Sequence, residues 1–440
     1  MEMDWNALLS PKRLNVEERD EVTESGRSVF HKDCDRITFS SSFRRLGKKT
    51  QVHPLASNDH IHTRLTHSVE VASVGRSLGI NIGEQIQDRL PSHVVPANVG
   101  QIIQAACLAH DIGNPPFGHA GEEAIRNWFR QPKTALLLDD LEDYQKLDFH
   151  FFEGNAQGFR VVSQLEYYPC EGGMRLTYAA LAALLKYPWT SRETTKVSKF
   201  SSFRTEESIL NTIAEHVGLI KEDEFKYCRH PFAFLTEAAD DICYRILDLE
   251  DAHEMGILLF PEILEILKPL CSKDPKLDNI IESTQISNRR KMSYLRGKAI
   301  GQAIDGVTNS FIDKLDDIMK GSFKNDLIYA CEKEIKEPLD NAKEIAKEEI
   351  FKHPRKIELE IGAYTTLGIL LETFCNAVRE QVTGKTLSFR SERILSMMGI
   401  NAPKRGDSLY YSYMQVMDYI SGMTDSYATH MAKQIGGMAL

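Results

Sequence analysis

The sequence has little that would place it in a membrane, a disulfide frame or a nucleotide fold built on parallel strands. No segment offers eighteen consecutive uncharged apolar residues; the most apolar, Ile357 to Val378, carries Glu358, Glu360 and Glu372. Met1 to Asn15 shows no basic stretch followed by an apolar run, so no export signal is expected. The eight cysteines are scattered without a C-x-x-C pair, which argues against thiolate zinc and suits a reducing cytoplasm. Several, such as Cys107, Cys243 and Cys375, sit among apolar neighbours as small core residues do. Excess positive charge is also missing. A formal net charge of −10 excludes a generally basic nucleic-acid surface, and a polyanionic ligand would draw its counter-charge from a metal and a few Arg or Lys. No Gly-rich phosphate loop, Val/Ile-rich strand series or repeat period supports a P-loop, Rossmann or solenoid reading.

What is present is helical periodicity in a chain of 440 residues, 42% hydrophobic, long enough to bury a large core. Val71, Val74 and Leu78 form one stripe, and Ile102, Ile103, Ala106 and Cys107 another. Leu235, Ala239, Ile242, Ile246 and Leu249 form a third. An all-α fold follows. Breakers fall at Leu90 to Pro96, Asn114 to Gly118, Pro169 to Gly173, Tyr187 to Lys199 and His353 to Pro354. The Lys/Glu/Asp-rich stretch from Ser272 to Lys356 reads as solvated amphipathic helices. A soft division near residue 260 separates a catalytic region, 1–260, from a helical C-terminal region, 261–440, that completes the domain.

The chemistry gathers in a few places. With fourteen histidines, roughly one His-Asp dipeptide is expected by chance, so His110-Asp111 needs its context. Both residues continue the inward arc of the second stripe. His67 stands on the first stripe and Asp240 beside the third, so three helices each aim a ligand inward. An isolated inward His is more often a core residue bonded to a carbonyl. Two imidazoles and two carboxylates without thiolate make a mixed set suited to Mn²⁺, Fe²⁺, Ni²⁺ or Mg²⁺, and so to a catalytic ion. His119 follows His110 by nine positions past a Pro-Pro turn, with Glu122 at i+3; the pair is either a proton carrier held by a carboxylate or an anchor for the turn. Asp240, Tyr244 and Asp248 recur every four residues along one helix. Positive charge clusters at Arg44, Arg45, Lys48 and Lys49 before Gln51, at Arg64, and at Lys186 and Lys199 around a polar loop.

The order His67, His110-Asp111, Asp240 resembles the H…HD…D signature of the histidine-aspartate (HD) superfamily. The words Arg64-Leu65-Thr66-His67-Ser68, His110 to His119, Phe152 to Gln157 and Glu237 to Ile242, with Asp418 to Tyr427 near the end, closely resemble the deoxyguanosine triphosphate triphosphohydrolase family. That resemblance implies an HD-domain helical phosphohydrolase with additional C-terminal helices, cutting a deoxynucleoside triphosphate into deoxynucleoside and triphosphate. It implies one divalent ion per subunit on His67, His110, Asp111 and Asp240, Mn²⁺ or Mg²⁺ ahead of Fe²⁺, Co²⁺ or Ni²⁺, and an acid/base dyad of His119 and Glu122. Arg64, Lys186 and Lys199 would contact phosphate, Gln51 the 3′-hydroxyl, and Asn155 the substrate. Tyr244 would lie by the triphosphate or sugar and Asp248 on the sugar. Family members form ring-like homo-oligomers, often hexamers; the aromatic and Met-rich segment Tyr410 to Met438 suits an interface or an internal core helix. Single-stranded DNA or an effector nucleotide is a further expected partner. Two rivals share part of the pattern: an HD phosphohydrolase on another nucleotide, and a nucleotide-sensing or DNA-binding factor supported by Arg44 to Lys49.

Overall fold

Each of the three stripes becomes a helix, and the three helices meet. The computed structural model describes residues 2–16, 26–51, 61–166, 172–195 and 199–438; most of the Pro169 to Gly173 breaker and residues 196–198 of the polar loop lie outside them. The helix Arg64–Gln85 opens with Thr63, whose hydroxyl accepts from the Thr66 amide while the Thr66 hydroxyl accepts from the Thr63 amide. It buries His67, Val71, Val74, Leu78 and Ile82. Its neighbour Pro96–Ala109 starts on a proline, whose missing N–H costs nothing at a helix start. The two cross where Gly79 meets Gly100; a Cβ on Gly79 would lie 2.7 Å from the Gly100 Cα, so only glycines allow this approach. The third, Pro231–Glu254, begins at His230, whose Nδ1 accepts the Phe232 amide at 3.0 Å, and it lies against both others.

The spacing argument places His110 and Asp111 on the helix itself, whereas the helix ends at Ala109 and His110 is its C-cap. His110 keeps helical dihedrals (φ −57°, ψ −33°), so the inward direction is kept. Its ring takes up the Cys107 carbonyl at 2.6 Å, one of those left unpaired at a helix end.

The fold is all-α: among the described residues the regular strands form a single two-stranded ribbon, Lys221–Asp223 with Lys226–Tyr227. Ser272 to Lys356 is a series of helices, of which Asn288–Asp313 buries Met292, Leu295, Ala299, Ala303, Val307 and Phe311. The core forms two bodies. The first, running from Met3 to Ile350, encloses the three ligand-bearing helices. The second collects Gly118–Arg130, Asp143–His150, Pro354–Val382, Phe389–Met398, Leu409–Ser421 and Asp425–Ile435, and Phe149 meets Tyr410 and Tyr413 edge-on inside it. Tyr410, Tyr413, Met414, Met417 and Met423 are buried within the chain's own core, while Tyr411 and Tyr427 remain exposed. Among the described helices, the span Lys356–Val382 alone is long and apolar enough by composition to cross a membrane. Its Leu367, Leu370, Leu371, Phe374, Cys375 and Val378 are fully buried in the second body.

Candidate active site

The three helices of the first body converge on Asp240. Its Oδ1 lies 3.0 Å from Nε2 of His67 and 3.6 Å from Nε2 of His110; Asp111 Oδ2 lies 3.6 Å from that same His110 nitrogen. The ligand atoms of His67, His110 and Asp240 fall within 4.8 Å of one another, close to the span of one ion's coordination sphere. Asp111 Oδ1 is occupied by the Arg64 guanidinium at 2.8 Å and by the Asn114 amide, whereas Oδ2 is buried with no hydrogen-bond partner. A buried carboxylate oxygen without a donor is costly unless a cation faces it. The cradle therefore fits a divalent metal ion on His67, His110, Asp111 and Asp240. The Cys107 carbonyl fixes the proton of His110 on Nδ1 and leaves Nε2 to bind. Burial opposes charge here, yet Asp111 and Asp240 lift His110 to about 9, and the Arg64 guanidinium and the imidazoles hold Asp111 below its usual range. Such mutual stabilisation marks a place that calls for positive charge.

Across the pocket stands a second group. His119, with its side chain 82% exposed, lies 3.0 Å through Nδ1 from Oε2 of the buried Glu122. Burial pushes the Glu122 carboxyl up, but the bond and charge of His119, with Lys199 and Arg126 nearby, together bring it down to about 2. The Gly154 amide donates to its other oxygen at 2.7 Å. Glu122 is thus a fixed anion that orients His119. The turn before it needs left-handed backbone at Phe117 and Gly118, and a Cβ on Gly118 would strike the Arg64 guanidinium. The wholly buried Glu153 gathers the Asn155 amide at 2.7 Å, Lys199 at 3.1 Å and Arg126 at 3.3 Å. Lys186 is held by Glu237 at 3.3 Å; burial works against its charge, but Glu237 together with Tyr187, Asp240 and Asp241 keeps the ammonium above its ordinary value.

These groups surround one pocket of about 550 Å³. Of the residues expected from sequence, Gln51, Arg64, His110, Asp111, His119, Glu122, Asn155, Lys186, Lys199, Asp240 and Tyr244 line it. His67 and Asp248 do not. His67 is buried beside Asp240, and Asp248 lies one turn beyond Tyr244, where burial and the neighbouring Asp251 push its carboxyl well above the usual range. Sequence reading missed the far wall: Phe351, Lys356, Leu359 and Glu360. Phe351 stacks on Tyr244 with centroids 5.7 Å apart, and Lys356 pairs with Glu360 at 3.2 Å. An i,i+4 Lys/Glu pair looks like any solvated helix face, so only the fold reveals its place. Glu153 had a signal, since it lies inside the Phe152 to Gln157 word.

The family model described as "HD domain" matches residues 64–156. A deoxyguanosinetriphosphate triphosphohydrolase-like protein of Pseudomonas aeruginosa is 50% identical over 99% of both chains. One of Synechocystis is 40% identical over the full length of both. The deoxyguanosinetriphosphate triphosphohydrolase of Klebsiella pneumoniae is 31% identical over 95% of this chain and 94% of its own.

Proposed function

Because the chain belongs to the deoxyguanosinetriphosphate triphosphohydrolase-like family of HD-domain proteins, we propose that it hydrolyses dGTP, and other deoxynucleoside triphosphates less readily, to deoxynucleoside and triphosphate. The observation that carries this reading is the His119–Glu122 dyad facing the His/His/Asp/Asp cradle across one pocket whose walls also bear Arg64, Lys186 and Lys199.

His67, His110, Asp111 and Asp240 would hold a divalent ion, Mn²⁺ or Mg²⁺ ahead of Fe²⁺, Co²⁺ or Ni²⁺, which would supply charge neutralisation and a water of lowered pKa. The chain's own residues do the rest. Arg64, Lys186 and Lys199 hold phosphate oxygens, as fixed cations do around a transferring phosphoryl group. Water adds to the α-phosphorus and the bond to the 5′-oxygen breaks. His119, oriented by Glu122, delivers a proton to that oxygen; with the same geometry the dyad could instead deprotonate the water. Asn155 adds a polar contact. Gln51, with Oε1 buried and lacking a partner, awaits the 3′-hydroxyl. Tyr244 packs on the sugar, with Asp248 behind it. Tyr244 and Phe351 stack on one another in the pocket wall, and Glu360 nearby is paired with Lys356. A subunit ring, commonly of six, a cytoplasmic location, a response to effector nucleotide or single-stranded DNA, and a division near residue 260 are part of the same proposal.

The test compares kcat/KM for dGTP and GTP and identifies the products. A 2′-hydroxyl buried without a partner costs roughly 1 to 3 kcal/mol, so dGTP should win by about ten- to a hundredfold, less in Gln51→Ala or Tyr244→Ala. Equal use of GTP overturns the substrate, and release of inorganic phosphate instead of triphosphate overturns the reaction.

A further inference from the structure

Two buried charges tie the C-terminal hairpin, Leu409–Ser421 and Asp425–Ile435, to both approaches of the pocket. Lys49 and Asp425 are each only 2% exposed. The Lys49 ammonium donates to the Asn114 carbonyl and to the Ser421 carbonyl, both at 2.6 Å. One Asp425 oxygen accepts the Thr50 amide at 2.9 Å and the other accepts the Phe117 amide at 3.0 Å. Thr50 precedes Gln51, and Phe117 precedes the Gly118-His119 turn. Asn114 is also the residue whose side chain donates to Asp111. The hairpin gives no side chain to the pocket lining; the Asp425 carboxylate instead holds the main-chain amides of Thr50 and Phe117, which do line it.

Burying an amine and a carboxylate is expensive, burial pushing Lys49 down to about 7, and the cost is offset only when their bonds are made in full. Asp425 makes one bond per oxygen, so a rigid carboxylate spans two amides from segments 67 residues apart in sequence, 117 − 50. Lys49 closes the same circuit from the other side. Between them the start of the Gln51 segment and the start of the His119 turn are held at a fixed separation, and Lys49 also accepts the Arg64 amide on its own carbonyl at 3.1 Å.

We propose that Asp425, with Lys49, is a positioning residue: the pair sets the distance between Gln51 and His119, and so aligns the sugar of the substrate with the proton bound for its 5′-oxygen. This rests on the roles of Gln51 and His119 given above. Misplacing reacting groups by about 1 Å costs on the order of a hundredfold, whereas the Asp425 carboxylate itself bonds no residue of the metal cradle.

The experiment is a double-mutant cycle read beside amide exchange. Asp425→Asn replaces one acceptor with a donor while keeping shape. It should lower kcat for dGTP by about ten- to a hundredfold in the parent but less than about threefold in His119→Ala, with Mn²⁺ stoichiometry unchanged. Amide exchange should rise together in segments 49–51 and 114–118. Equal losses of kcat in both backgrounds would mean a general structural role and overturn the proposal, as would unchanged exchange in either segment. Lys49→Met, checked for a native helical spectrum, repeats both measurements should Asp425→Asn fold poorly. If the parent fails to release triphosphate, the functional reading falls while the exchange arm still decides the clamp.

Discussion

The two core bodies bring different chemistry to one pocket. His67, His110, Asp111 and Asp240 stand on elements packed in the first body; His119, Glu122 and Glu153 stand on elements packed in the second. The first is a close crossing of helices in which glycines let backbones touch and imidazoles face carboxylates. The second is an aromatic and Met-rich core behind an exposed histidine. On the roles proposed above, holding an ion and moving a proton rest on separate packing, so each should fail without the other.

The largest expected effect tests the first half. Asp240→Ala removes the oxygen shared by His67 and His110, so bound Mn²⁺ measured by elemental analysis should disappear, and turnover should fall by at least about a thousandfold with the ion's share of catalysis. Metal retained at full stoichiometry would break the comparison from that side. His119→Ala tests the other half. It should lower kcat by about a hundredfold to ten-thousandfold, the usual worth of a positioned acid or base, while metal stoichiometry stays at the parent value. Loss of metal in that variant would show that the two bodies are not independent.

The smallest effect sharpens the picture of the first body. His230 is fully buried, accepts the Phe232 amide on Nδ1 and bonds the Leu8 carbonyl through Nε2 at 3.1 Å, which requires the neutral ring. Burial lowers it from 6.5 to about 4, with the Leu8 carbonyl pulling the other way. A histidine depressed in the folded state leaves the unfolded chain binding the proton first. Its contribution is therefore present above pH 6.5 and is lost as pH falls through about 4, worth roughly 3 kcal/mol over the window. His230→Asn, which keeps the cap but not the titration, should lose less in urea midpoint between pH 7 and pH 4.5 than the parent. Parallel losses would assign the acid limb to other groups.

The first body was far more legible in the sequence than the second. A periodic stripe carries its own direction, so His67 could be placed inward from Val71, Val74 and Leu78 alone, and all four are buried. Asp240 was legible for the same reason. The end of the helix at Ala109 was not, because His110 keeps helical dihedrals and nothing in residue type marks the boundary. The far wall of the pocket was unreadable: Phe351, Lys356 and Glu360 stand more than one hundred residues after Tyr244, 351 − 244 = 107 for the nearest, and carry no periodicity that points to it. Asp425 lay within a recognised word, yet its bonds go to main-chain amides, and such bonds leave no trace in the partner's residue type.

The Asp425 bridge also has a place in time. Thr50 and Asp425 are 375 positions apart, and a ribosome adding roughly 5 to 20 residues per second needs about 20 to 75 s to pass from one to the other. His67, His110, Asp111 and Asp240, the four proposed metal ligands, have all been synthesised by residue 240, long before that interval ends. On the roles proposed above, a growing chain would gather its metal ligands while the Gln51 and His119 segments still lack the bond between them, and full turnover would wait for the hairpin that carries Asp425.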